Sequence, residues 1–502
     1  EFRLAAGRAV AQFGIAEFLH HLQLVIAGLT TVLVNRHGTP RKLTKTVENF
    51  NAILWGQQGT FASPSSNVGV IAVTLHVMSP SLRLLLLVIL LVLLSGCYST
   101  ADQTVTVEFW AMGQEGEQVQ ALLPEFERRH PDIRVRVQQV PWSAAHEKLL
   151  TAYAGDAMPD VFQLGNTWIP EFVALRAIEP LDARLKAWPE AALNDYFPGI
   201  LATNRLDGRT YALPWYVDTR LFFYRTDLLA AAGFAEPPTT WADWLRAMNA
   251  LKGAAGSERY AILLPINEWQ LPVILALQRG ATLLRDHDQY GNFQEPSFRE
   301  AFAFYLSLFT QGLAPPVSNA QMANLYQEFA NGKFAIYVSG PWNIGEFGRR
   351  LPAAVQPHWD TAPLPAFAGA AGVSLAGGAS LALSRTSSRQ EAAWALLAFL
   401  AEPAQQARFY QLTGDLPARQ SAWRDPALAG NRHAQAFWRQ LQNLRATPSI
   451  PEWERIANRI AYYAELAVRQ DLSPDDALAA LDRDVDRILE KRRWLLSRGV
   501  TP

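Results

Sequence analysis

Cysteine is almost absent: the chain has one, Cys97, in 502 residues. A single thiol excludes an internal disulfide, a cysteine-rich zinc site and a dithiol redox pair. Neither sign of charge is in excess, with 45 Lys and Arg against 46 Asp and Glu, and no basic run dominates. Phosphate backbones are bound by clustered cations, so nucleic acid is not an expected partner. Catalytic signatures are missing too. The Gly-Lys of Asn331–Ala335 lacks the upstream glycine and the Ser/Thr of a phosphate loop. No Gly-x-Ser-x-Gly elbow occurs, and His146-Glu147 has no second histidine at zinc spacing. No metal and no cofactor is therefore expected. A glycoside hydrolase needs only two carboxylates close in space, which no sequence pattern reveals.

The longest aliphatic run accounts for the lone cysteine. Leu84–Leu94 is unbroken but too short for a membrane span, which takes about 20 apolar residues. It fits the apolar core of a secretory signal, about 7–15 residues long behind a positive charge, here Arg83. Leu94-Ser95-Gly96-Cys97 comes next and resembles the lipobox of bacterial lipoproteins, in which the thiol is acylated and the chain is cut before it. Residues 78–96, opening at Met78, are thus expected to be a signal peptide, and 97–103 a linker lipid-anchored at Cys97. Residues 1–77, which open Glu-Phe, are expected to be upstream translation or a non-native leader.

The chain beyond Cys97 is rich in tryptophan, holding fifteen of the 16. Some 400 residues exceed one comfortable core, so two domains are expected. Val105–Trp110 alternates as a strand. A glycine turn leads to a helix with Val119, Leu122, Leu123 and Phe126 on one face, ended by Pro131. Ile133, Val135 and Val137 mark a second strand, a helix covers 144–154, and "MPDVFQLG" is a third strand. This β-α-β-α-β order predicts a parallel sheet with helices on both faces. Ligands lie at the carboxyl ends of such strands, which points to Gln114 and Glu115 and to Gly165–Trp168. Pro214 is expected to interrupt the strand that contains it. Helices are expected near 240–252 and 297–312, and a strand ending at Gly340. A final helix should be capped at Ser473 and end at Lys491-Arg492-Arg493, acids first and cations last.

Five pieces, in this order, resemble one family. They are "FWAMGQEGEQVQALLPEFERRHPDIRV", "LTAYAGDAMPDVFQLGNTWIPEF", "DGRTYALPWYVDTRLFFYRTDLL", "FANGKFAIYVSGPWNIGEF" and "AAWALLAFLAEPAQQARFY". The chain resembles extracellular solute-binding proteins of the maltose/trehalose-binding type that serve ABC importers of carbohydrates. The resemblance spans essentially all of 104–490. It implies an α/β, two-lobe periplasmic-binding-protein fold (type II). Each lobe would be a mixed, mostly parallel sheet flanked by helices, and hinge strands would cross between them. The first lobe would comprise 104–215 and 373–447, the second 216–372 and 448–502.

The resemblance also implies a non-enzymatic role: a monomer, lipid-anchored outside the cytoplasmic membrane, that passes a mono- or oligosaccharide to permease subunits. It places Gln114, Glu115, Asn166, Thr167 and Trp168 at the cleft. Trp215, Tyr216 and Asp218 would come from the hinge strand, and Glu268 and Trp269 from "NEW". Trp342 would come from "SGPW", Glu452 and Trp453 from "IPEW", and backbone groups from Gly377-Gly378. Flat aromatic faces cover the C–H faces of a sugar, and planar acids and amides bind its hydroxyls. Trp110, Trp394 and Trp438, on apolar strand or helix faces, are expected to be packing, and Asp160 to bond locally. Two alternatives are a secreted glycoside hydrolase and the same fold tuned to a non-sugar solute. The first would cut its sugar; the second would converge cations on a phosphate or several acids on a polyamine.

Overall fold

In a computed structural model, which describes residues 104–256, 258–368 and 372–500, the chain forms two large sheets and three two-stranded ones. The expected signal segment 78–96, the expected linker 97–103 with Cys97, and residues 1–77 lie outside the described residues.

The first sheet grows from the expected alternation. In β1 (Val105–Met112) Val107, Phe109 and Ala111 point into the core. β2 (Ile133–Val140) and β3 (Val161–Gly165) flank it, both parallel. Between β1 and β2 the four apolar residues of the expected helix are all buried, but the helix is in pieces. α1 spans Gly113–Gln118, a tight turn Val119–Ala121, and a further helix Leu123–Arg129. Pro124, with no N–H to donate, falls where a continuous ladder would need one. α2 (Trp142–Ala154) leads to β3.

A hairpin, β4 (Arg205–Leu206) and β5 (Arg209–Thr210), precedes β6 (Ala212–Asp218). Pro214 does not interrupt β6. The register of its neighbour shifts between Ala379 and Ser380, opposite the proline, and such a bulge tolerates the missing donor. The chain then crosses through Thr219-Arg220 into the second sheet, formed by β7 (Leu221–Arg225), β8 (Tyr260–Leu263), β11 (Phe334–Ser339) and β12 (Trp359–Ala362) in the order β12-β7-β11-β8. A small hairpin, β9 (Leu284–Arg285) and β10 (Tyr290–Gly291), lies apart. The expected helices appear at Trp241–Ala255 and Pro296–Thr310, and α3 (Trp342–Arg350) follows β11.

β13 (Ser374–Leu375) returns towards the first sheet, where β14 (Gly377–Leu383) lies between β6 and β3, antiparallel to both. α4 (Pro403–Thr413) precedes β15 (Leu416–Pro417), which completes the order β15-β6-β14-β3-β1-β2. Both sheets are mixed. Their parallel pairs are confined to β1 with β2 and β3, and β8 with β11, because strands arriving from the other lobe run antiparallel to their neighbours.

β16 (Leu444–Arg445) pairs with β13, so two crossing segments run side by side. The Ser374 hydroxyl ties in the third: it accepts from the Arg220 N–H and donates to the Arg220 carbonyl. Helix Arg432–Leu441 packs on β12 and β7. α5 (Trp453–Val468) and helix Pro474–Ile488 end the second lobe, with Ser473 capping the latter through the Asp476 N–H. That helix stops at Ile488, short of the expected Arg493; Glu490–Leu496 is a separate short helix.

Candidate functional site

The turn out of β1 places Glu115 in the first turn of α1, 6% exposed. It is the end of a buried chain of hydrogen bonds. The Met112 N–H donates to the Gln163 Oε1 (2.7 Å), and the Gln163 Nε2 donates to the Tyr216 hydroxyl (3.0 Å). Tyr216 in turn donates to Glu115 Oε1 (2.7 Å), which also accepts from the Trp142 indole N–H (3.2 Å). Burial pushes the Glu115 carboxyl above its ordinary range, opposed by the Tyr216 and Trp142 bonds. The Tyr216 phenol is raised well above its usual value by burial and then by the Glu115 charge.

After β3, Asn166–Trp168 form a single tight turn. The Asn166 amide donates to the Ala376 carbonyl (2.7 Å), and the Thr167 hydroxyl donates to Glu454 on α5, so this turn touches both the crossing segment and the other lobe. Trp168 meets Trp142 edge-on with ring centres 5.8 Å apart, and His146 at 5.1 Å. His146 Nε2 lies 2.7 Å from Glu171, whose hydrogen bond raises the imidazole above 6.5.

On the crossing strand, Asp218 pairs with Arg220 at 3.1 Å, and the guanidinium lies 4.7 Å from the centre of the Trp342 ring. Burial raises the Asp218 carboxyl, and Arg220 opposes the shift. Trp342 opens α3 and folds back over Gly340; a methyl group at 340 would occupy the space of the indole. Gly378 has φ +143, and a side chain there would collide with the Tyr216 carbonyl and approach the Val217 Cα to 3.1 Å. Glycine thus lets β14 press against β6 at the crossing.

These groups surround a cavity of about 640 Å³ between the two sheets. Of the residues singled out in the sequence, Gln114, Glu115, Asn166, Thr167, Trp168, Tyr216, Asp218, Trp269, Trp342, Gly377 and Gly378 line it. Four do not. Trp215 is 1% exposed and stacks on Phe409 at 4.4 Å, because alternation along β6 turns it to the face opposite Tyr216. Glu268 accepts from the Asn319 amide and borders a separate crevice with Tyr305. Trp453 is fully buried beside Trp269, and Glu452 lies 3.6 Å from Arg492; the start of α5 turns Glu454 to the cavity instead.

The cavity also gains Trp142, Arg220, Gln270, Tyr326, Glu346, Asp415 and Glu454, which sequence reasoning missed. Trp142 had a readable signal: like Trp342, it follows a proline at the end of a strand. Trp110, Trp394 and Trp438 are half-buried packing residues, the latter two against Trp188 and Trp423. Asp160 bonds farther afield than expected, accepting from the Glu108 N–H, Ser387 and Arg389.

Known proteins share this architecture. The sugar-binding protein MalE of Xanthomonas citri is 48% identical, with a TM-score of 0.75 over 78% of this chain and 99% of its own. The GacH receptor of Streptomyces glaucescens, solved unliganded and with acarbose, is 25% identical, with a TM-score of 0.68 over 77% of this chain and 99% of its own. The diacetylchitobiose binding protein DasA of Streptomyces coelicolor is 27% identical across 80% of this chain and 93% of its own. The family model described as bacterial extracellular solute-binding protein matches residues 111–407. More than half of the chain is covered by that match, and the protein belongs to the bacterial extracellular solute-binding family.

Proposed function

We propose that this exported protein captures a mono- or oligosaccharide and delivers it to the permease of an ABC transporter, anchored by a lipid on Cys97. The observation that carries the reading is the composition of the cavity. Trp142 and Trp168 reach it from one sheet, and Trp269 and Trp342 from the other lobe, with carboxyl and amide groups between them. Indole faces bury the C–H faces of a sugar while the acids and amides take its hydroxyls. A cavity of about 640 Å³ lies within the usual range of small-molecule sites, roughly 300–1,000 Å³. MalE and DasA are sugar binders by name, and the family works outside the cell with ABC transporters.

Capture would close the lobes by bending the crossing segments at 219–220, 374–376 and 444–445, a hinge motion that a permease can read. The lobe division 104–215 with 373–447 against 216–372 with 448–502 belongs to this proposal. Its amendment from the packing is that Arg432–Leu441 moves with the four-stranded sheet.

The test is a thermal-shift and calorimetric screen of residues 98–502 against a panel of sugars. The preferred sugar should raise the melting temperature as mass action requires and be recovered intact after long incubation. Its steady hydrolysis by pure protein would overturn the non-enzymatic reading in favour of a glycoside hydrolase. Cys97→Ala should leave the full chain unprocessed or released from membranes; retention at the processed size would overturn the lipid anchor.

A further inference from the structure

Asp415 is an ionisable side chain with no evident reason to be where it is. It is 3% exposed, it lines the cavity, and its Oδ2 meets no hydrogen-bond donor. A buried carboxyl with an oxygen left unmet is costly, so a fold that keeps one is holding it for something else.

The local structure explains how it is aimed. Gly414, at φ +86, ends α4 in the left-handed conformation that favours glycine, and its Cα side approaches the backbone of Gly345 on α3. The chain then enters β15, where Leu416 pairs with Val217 and is fully buried. Alternation puts Asp415 on the opposite face from Leu416, the face from which Tyr216 and Asp218 meet the cavity.

The groups around it cannot neutralise it. Glu115 and Asp218 carry the same charge and push its carboxyl upward, adding to burial, while the Thr413 hydroxyl opposes them. Glu346 on α3 is a further acid of the same cavity, Tyr216 already donates to Glu115, and the Arg220 guanidinium is held by Asp218.

We propose that Asp415 is a specificity-determining residue whose carboxylate accepts a hydroxyl hydrogen of the bound sugar. The carboxyl torsion is soft, so either oxygen can turn to the cavity. This rests on the proposed sugar-binding function and adds to it a neutral, hydroxyl-donating ligand group at the β15 edge. It also carries a proton balance. In the empty site burial and the neighbouring acids favour the neutral form of this carboxyl, and a hydroxyl donor favours the ionised form. Capture therefore releases the acid proton to solvent, and affinity rises with pH until the empty-state carboxyl is itself ionised.

The experiment compares wild type with Asp415→Asn, an isosteric residue that cannot ionise. Calorimetric titrations with maltose, trehalose and N,N′-diacetylchitobiose would be run at about pH 5.5 and 8, both above the ordinary carboxyl range. The tightest of the three should bind wild type at least tenfold better than the variant at the higher pH. Wild-type affinity should rise more steeply with pH than that of the variant, in which Glu115 and Asp218 remain. The melting temperature of Asp415→Asn should match or exceed that of wild type, since an unpaired buried acid has been removed. Equal affinities, or the same pH slope in both proteins, would overturn the assignment of Asp415 alone. A lower melting temperature of the variant would show the carboxyl paired within the fold and also overturn it. Failure of wild type to bind any of the three sugars would overturn the sugar reading and this inference with it.

Discussion

The two walls of the cavity are built differently. On the side of the six-stranded sheet, apart from Asp415, a chain of polar groups is already bonded together, running from Met112 through Gln163 and Tyr216 to Glu115, with Trp142 closing the end. On the other side, Trp342 lies over Gly340 with Arg220 stacked on it, and its helix is pinned by Asn343, which bonds Tyr326 and Ser339. The first wall presents fixed lone pairs whose directions were set during folding. The second presents the Trp269 and Trp342 rings with Arg220, Gln270, Tyr326, Glu346 and Glu454 around them. A polar network of this kind discriminates one hydroxyl pattern from another, since a misplaced donor leaves a buried acceptor unpaired. An aromatic face contributes to the affinity of any sugar that reaches it.

Mutations on the two walls should therefore differ in kind as well as size. The largest loss of affinity is expected from Trp342→Ala, at least thirtyfold or about 2 kcal/mol, the usual scale for a truncated aromatic anchor. Calorimetry with several sugars should show a similar loss for each; a loss confined to one sugar would break the contrast. Glu115→Gln keeps the shape but weakens the acceptor of Tyr216 and Trp142, and about tenfold is expected, or about 1.4 kcal/mol. Here the ranking of sugars should change, and an unchanged ranking in the same panel would count against a discriminating wall.

Gly340→Ala should cost less, about fivefold, because it displaces the Trp342 indole without removing it. Near-ultraviolet circular dichroism of the free protein should report the moved ring. If the variant binds like wild type while that signal changes, the position of Trp342 is not what the second wall supplies.

Smaller still is a pH effect on stability at the first wall. The His146 imidazole is raised above 6.5, chiefly by its bond to Glu171, with Glu454 and Glu147 adding to it. A raised folded-state value means that the protonated form stabilises the fold below 6.5, and that this contribution is lost as pH rises through the raised value. The difference in melting temperature between wild type and His146→Gln should be greatest below pH 6.5 and fade as pH rises through the raised value. A difference that grows with pH would contradict the geometry. Trp394→Ala is the control for both walls. Its ring is half-buried against Trp188, away from the cavity, so it should lower stability by about 1–2 kcal/mol, less than a fully buried aromatic would. Affinity should stay within twofold by titration.

Much of the fold could be read from the chain because its signals are local. The alternation in β1, the Ser473 cap and the Pro-Trp turn before α3 each depend on neighbours a few residues away. Trp215 shows where locality ends. Six of the seven residues of β6 are buried, on both faces, so no polar alternation remains to say which face meets the ligand. Trp453 fails for a related reason: at the first turn of α5, one residue changes direction by about 100°, and that phase is set by Trp269 and the core rather than by the motif.

The sequence by itself determined that the described part is a β-α-β-α-β start followed by further extended pieces and helices, rich in tryptophans beside turns. It also determined which loops end at the cleft, because strand ends and turn residues are written locally. Only the tertiary structure decided which side chains share the cavity. Asp415 stands there because β15 pairs with β6, two hundred or so residues earlier in the chain, and Arg220 because a guanidinium found the face of Trp342. Pairings at that separation are fixed by the summed packing of both lobes, and no window of the sequence contains them.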